Sequence, residues 1–186
     1  MNDQSPGAIA SPEIILAFWR EAGPDKWFTR DDAFDADIRE KFLATYEAAA
    51  AGKLSAWEVT AEGALALAIV LDQFPRNMFR GLARCYAADP LAREVANRAL
   101  KCGYDQDVPE AERGFFFLPF MHSEDMADQK RSVALYREAG DANLSYAERH
   151  ADIVRRFGRF PHRNAVLGRA TTPEEQAYLD AGGFKG

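Results

Sequence analysis

The chain has 186 residues, a formal net charge of -6 and a pI near 5.2, a balance that excludes the broad basic face a general nucleic-acid binder needs to displace counterions. Its apolar share of 47% and charged share of 28% are those of a globular protein, and one domain burying about 70% of its unfolded surface is expected. No apolar run approaches the roughly 20 residues of a membrane-spanning helix, and Cys85 and Cys102 lie too far apart for a C-x-x-C pair. With no secretory signal before them, they are expected as free thiols of a cytoplasmic protein.

Residues 1–10 are small and polar and read as a loose end. Ser11-Pro12-Glu13 opens a first helix, with Ile15, Leu16, Phe18 and Trp19 on its apolar face and Gly23-Pro24 as its stop. Phe34, Ile38, Phe42 and Tyr46 recur every fourth residue and predict a second helix over about 32–51, closed by Gly52. A third, almost wholly apolar, starts near Thr60 and should end near Phe74, because the residue before Pro75 is disfavoured in helical dihedrals. Asp89-Pro90 opens a fourth, ended by Gly103, and Pro109 a fifth that carries Phe115, Phe116 and Phe117 up to Pro119. Ser123 and Ser145 are expected to cap a sixth and a seventh, ending at Gly140 and Gly158. Thr172-Pro173-Glu174-Glu175 is a capping box opening a short last helix. With no period-two segment, the expected class is all-α, built of antiparallel helix pairs in a single domain.

Three polar constellations punctuate this pattern. The first, Asp72, Gln73, Arg76, Asn77 and Arg80, follows the most apolar helix, where polar groups must reach a wet cleft or be satisfied internally. The second is His122-Ser123-Glu124-Asp125 with Gln129. Capping explains most of it but not His122, which a helix N-terminus should keep neutral. The third is His150 on an apolar face shared with Tyr146, Ile153 and Phe157, followed by Arg155, Arg156, Arg159, His162, Arg163, Asn164 and Arg169. Cations facing a helix C-terminus account for Arg155 and Arg156, whereas Arg159, Arg163 and Asn164 lie beyond Gly158 and suit bidentate recognition of an oxyanion or internal pairing with Asp72 and Glu124.

His122, His150 and His162 with a carboxylate would permit a metal site, but no H-E-x-x-H, H-x-H or C-x-x-C spacing exists and the crowding arginines oppose a cation. No metal and no cofactor is therefore assigned. G-x-G-x-x-G, Walker and G-x-S-x-G motifs are absent as well.

At these constellations the chain resembles the DUF924 family of bacterial proteins. The likeness is carried by Leu71-Asp72-Gln73-Phe74-Pro75-Arg76-Asn77 with Phe79-Arg80, by Leu118-Pro119 with His122-Ser123-Glu124, and by Phe157-Gly158-Arg159-Phe160-Pro161-His162-Arg163-Asn164. Leu167-Gly168-Arg169 and Thr172-Pro173-Glu174-Glu175 extend it, as do the N-terminal Phe18-Trp19, Lys26-Trp27-Phe28 and Phe34-Asp35. The resemblance implies an all-α fold similar to tetratricopeptide helix pairs and implies no activity.

Three readings follow. In the first, Arg76, Arg80, Arg159 and Arg163, with Gln73, Asn77, Gln129, His150 and Asn164, hold a small anionic molecule, and His122 or His162 serves as acid or base beside Asp72 or Glu124. In the second, the helices form a non-enzymatic module that receives an acidic peptide. In the third, the motifs make a closed network that specifies the fold. The mixture of acids, imidazoles and guanidinium groups favours the first.

Overall fold

The computed structural model describes residues 7–184. Nine α-helices joined by short 3-10 turns and loops make up these residues, and none of them forms a strand. The class is all-α, and among the described residues no helix is long and apolar enough to cross a membrane. The helices are α1 (Pro12–Ala22), α2 (Pro24–Trp27), α3 (Asp32–Ala50), α4 (Ala61–Met78), α5 (Asp89–Lys101), α6 (Gly114–Met121), α7 (Met126–Glu138), α8 (Leu144–Phe157) and α9 (Pro173–Asp180). They fall into two compact units, one comprising residues up to Arg80 and Arg84–Pro119, the other Gly81–Ala83 and Phe120 onward.

In the first unit α4 is the central element, buried without a break from Gly63 to Pro75 and packed against α1, α3 and α5. Its sequence dictates that position, since a helix apolar on every side has no face to give to water. Trp19, Phe42 and Phe74 are each at most 2% exposed. Phe74 stacks on Phe42 at 5.2 Å, and Trp19 meets Phe115 edge-on at 5.7 Å. Rings of this size contribute about 2 kcal/mol or more apiece by burial.

α4 does not stop at Phe74. It runs through Pro75 to Met78, and the Pro75 carbonyl still accepts the Phe79 N–H at 3.0 Å. A proline inside a helix costs about 3 kcal/mol, and here the burial of Phe74, Met78 and Phe79 offsets it. α6 likewise passes through Pro119 to Met121. The loose end expected over residues 1–10 lies largely outside the described residues. Ala10, the last of them, is buried and donates its N–H to Thr45 Oγ1 at 2.9 Å.

The second unit is built on α7 packed against α8, with α9 against the Pro161–Arg163 turn. Ile153, Val154 and Phe160 form its core, with Met126, Phe157, Tyr178 and Phe184 around them. Its helix starts correct two expectations. Ser123 caps no helix. Its hydroxyl accepts the Asp125 N–H at 3.1 Å, and Asp125 is the cap, accepting the Ala127 N–H at 2.7 Å. α8 begins at Leu144, ahead of Ser145, because Asp141 turns the chain early by accepting the Asn143 N–H at 2.7 Å. Gly158 closes α8 as expected, with φ 70° and its N–H on the Val154 carbonyl at 2.7 Å. A residue with a Cβ would be strained in that left-handed conformation.

Candidate functional site

In the first unit the Asp72–Arg80 motif folds onto carboxylates. Asp72, 1% exposed, accepts from Gln73 Nε2 at 2.6 Å and faces Arg76 Nη1 at 3.2 Å. The Arg76 fork closes on Asp89 at 3.0 and 3.1 Å and also reaches the Asp72 carbonyl at 2.6 Å. Burial alone would lower the Arg76 pKa, but the charges of Asp72 and Asp89 outweigh it and hold the guanidinium above its ordinary value. Asn77 donates to Asp35 at 2.7 Å, and Arg80 grips the same carboxylate at 2.8 and 3.0 Å. The five predicted residues thus fall into two groups, Asp72, Gln73 and Arg76 with Asp89, and Asn77 and Arg80 with Asp35.

A second network in the other unit follows the same logic. Glu124 accepts the Phe160 N–H at 2.8 Å and the fork of Arg169 at 2.7 and 3.0 Å. Burial would raise the Glu124 carboxyl, but the bonds from Arg169 and Phe160 hold it below its ordinary value. Arg169 continues to Asn164 Oδ1 at 3.0 Å, and Asn164 Nδ2 to Glu175 at 3.2 Å. Arg159 meets Glu175 at 2.6 and 2.8 Å, and Thr172 completes the predicted capping box. Gln129, fully buried, donates to the carbonyls of Met121 and Ser123 at 2.7 and 2.6 Å, which fixes the turn into α7.

The three histidines of the chain gather in this second unit. The His122 and His150 rings lie 6.4 Å apart. Phe160 is 5.6 Å from His150 and 5.7 Å from His162, and Phe184 is 4.6 and 5.1 Å from the same pair. The Arg163 guanidinium, buried, lies 4.5 Å over the Phe160 ring. Phe184 reaches the imidazoles because its N–H bonds to the Tyr178 hydroxyl at 2.9 Å. The chain passes so close beneath it that a Cβ on Gly183 would lie 2.5 Å from Tyr178 Cε1. Tyr146, expected to share the apolar face, is 56% exposed, and its carbonyl is what touches the site.

Both inner imidazoles are held neutral. His150 is pushed down to about 4, first by burial and then by His122, Arg163 and Arg149, against the opposing pull of the Tyr146 carbonyl. Burial and the charge of Arg163 push His162 down to about 3. His150 Nδ1 lies 2.7 Å from the Tyr146 carbonyl. A carbonyl can only accept, so Nδ1 carries the proton and Nε2 is left as an acceptor. Unfolding below pH 6.5 must therefore take up protons that the folded chain refuses, and stability is expected to fall from about pH 6.5 down to about 3. Urea unfolding at pH 7.5, 6 and 5 measures this. His150→Gln and His162→Gln should each flatten the decline, and a wild-type curve level over that range would show that the imidazoles are not held neutral.

Among the described residues no three of His, Cys, Asp and Glu are placed to hold a metal ion. The sequence pattern does not single out Asp35, Asp89 or Phe184 as parts of these constellations; it holds Phe160 only as a member of the Phe157–Asn164 motif and Glu175 only as a cap. An aromatic residue placed directly after two glycines, Gly182-Gly183-Phe184, was the one available signal for the last.

The sequence model of a family described as a bacterial protein of unknown function (DUF924) matches residues 15–183. Among solved structures, a protein of unknown function from Agrobacterium tumefaciens is 52% identical, the match covering 91% of this chain and 97% of that one, with a TM-score of 0.89. No curated protein matches.

Proposed function

The chain belongs to the DUF924 family, whose function is unassigned, and from its own residues we propose that it binds a small oxyanion through the imidazoles of His122, His150 and His162. One observation carries this reading. His150 and His162 meet around Phe160 and Phe184 beside the buried Arg163 guanidinium, 4.5 Å over the Phe160 ring. Burial first and then the charge of Arg163 keep both imidazoles unprotonated, and of these two causes it is the Arg163 charge that favours an anion beside them.

The ligand has a further requirement. His150 Nε2 is an acceptor, so a matching ligand brings a proton donor together with its charge, as hydrogen phosphate or a hydroxy carboxylate does. Imidazoles as weakly basic as His150 and His162 are poor general acids and bases near neutral pH. Their role in this reading is hydrogen bonding. Arg76, Arg80, Arg159 and Asn164 then stiffen the structure, since Asp89, Asp35 and Glu175 take up their donors. Glu124 and Asp72 hold arginines in the same way. Cys85 and Cys102 are not joined in a disulfide, which fits a reducing cytoplasmic setting.

The test is to follow the histidine ring resonances by NMR at pH 6.5 while adding inorganic phosphate, with chloride as the ionic-strength control. The expected result is a saturable shift of the His150 and His162 signals with their pKa values rising, weakened in His162→Gln. Unmoved signals, or equal shifts with chloride, would overturn the proposal.

A further inference from the structure

On α8, Arg149, Asp152, Ile153 and Arg156 recur at intervals of three and four residues and so share one face. That face, with Phe157, lines a groove of about 380 Å³ closed on its other side by Tyr178 of α9 and the Gly182–Gly183 turn. The volume lies within the range of small-molecule sites. Its floor is apolar. Ile153 is 5% exposed, and the Phe157 and Tyr178 rings stand 5.0 Å apart at 51°.

The charges of this groove do not cancel. Arg156 is matched to Glu174 at 3.0 Å and stacks on Phe157 at 4.6 Å, and Asp152 is taken by Arg155. Arg137, Arg159 and Arg169 each meet a carboxylate elsewhere in the unit. Arg149 is different. Among the described residues no carboxylate stands within ion-pairing distance of it, and its guanidinium lies 5.4 Å over the Phe184 ring. Stacking holds the fork in place and leaves its donors uncommitted. The Tyr178 hydroxyl accepts from the Phe184 N–H and keeps its own proton to donate.

We infer that the groove between α8 and α9 is a second binding site, for a small aromatic molecule bearing one carboxylate or phosphate. The anionic group meets Arg149 and the Tyr178 hydroxyl, and the ring lies along Ile153, Phe157 and Tyr178. A bare inorganic anion would leave that floor uncovered, and an uncharged ring would leave Arg149 unmatched. The two requirements together set the ligand class.

Benzoate and phenyl phosphate serve as probes, with the Tyr178 ring resonances as the local readout. Saturable shifts are expected with the wild-type protein, weakened about tenfold in Arg149→Gln by loss of a charge-assisted bond. Arg149 is exposed, so the variant should fold normally. His162→Gln is expected to leave the Tyr178 response unchanged while weakening the phosphate response of the histidines, so each site can fail without the other. Tyr178 signals that stay still with both probes, or respond equally in Arg149→Gln, overturn the inference. A Tyr178 response lost in His162→Gln and kept in Arg149→Gln also overturns it, placing the aromatic anion among the histidines.

Discussion

Replacing Arg76 with alanine is expected to cost about 3–5 kcal/mol of folding stability, while Arg80→Ala costs about 1 kcal/mol or less. Both side chains grip carboxylates bidentately, so contact geometry alone does not separate them. Burial does. The Arg76 side chain is 18% exposed between Asp72 at 1% and Asp89 at 8%, whereas Arg80 is 38% exposed. Removing Arg76 leaves two buried carboxylates without the guanidinium between them, and the low local dielectric magnifies their repulsion. At Arg80, water takes over much of the lost interaction. Arg76→Lys should fall between, since an ammonium keeps the charge but not the fork. Urea unfolding of the three variants at pH 7 measures all of this. Equal losses for Arg76→Ala and Arg80→Ala would show that the Asp72–Arg76–Asp89 group does not hold α4 to α5.

What the sequence reveals of the fold is what local chemistry decides. The Thr172 capping box, the proline at the start of α1 and the glycine ending α8 each act within one turn of chain, and each stands where expected. The misread points are those where distant packing wins. Pro75 and Pro119 carry strong local stop signals, yet α4 and α6 continue through them to bury Phe74, Met78 and Phe120. At residues 123–125 two good capping side chains compete within one segment, and the choice of Asp125 over Ser123 depends on the path the chain takes out of α6.

The polar constellations were legible as places but not as pairings. Asp35 lies 42 residues from Asn77 and 45 from Arg80, and no local rule links them. Arg169 takes Glu124 from 45 residues away, a pairing set by the turn through Phe160 and Asn164. The convergence of three histidines could be suspected from their positions beside the motifs. The rings that gather them, Phe160 and Phe184, look in sequence like ordinary core residues. Polar partners can be counted along a chain, whereas the surface that brings them together belongs to the packed structure.

Glu175→Gln is expected to lower stability by about 2 kcal/mol at pH 7 and to remove an acid-sensitive step that the wild-type protein shows below about pH 4.5. Glu175 is 2% exposed and accepts from Arg159, Asn164 and the Thr172 N–H, so both carboxylate oxygens are committed to donors. The bonds from Arg159 come first in pushing its carboxyl down to about 2 from an ordinary 4.5. A shift of that size corresponds to about 3 kcal/mol, which solvent around the partly exposed Arg159 reduces to about 2. Because the folded value lies below the unfolded one, this stabilisation is present above pH 4.5 and disappears as pH falls towards 2. Glutamine keeps the shape but turns one acceptor into a donor, facing groups that can only donate. The gap between variant and wild type in urea unfolding should be full at pH 7 and nearly closed at pH 2.5. A gap equal at both would mean that Glu175 acts through packing rather than charge. This window opens at about pH 4.5, two units below the start of the histidine window, and overlaps its lower end. Between pH 6.5 and 4.5 the decline should respond to His150→Gln and His162→Gln alone, and Glu175→Gln should begin to tell only below pH 4.5.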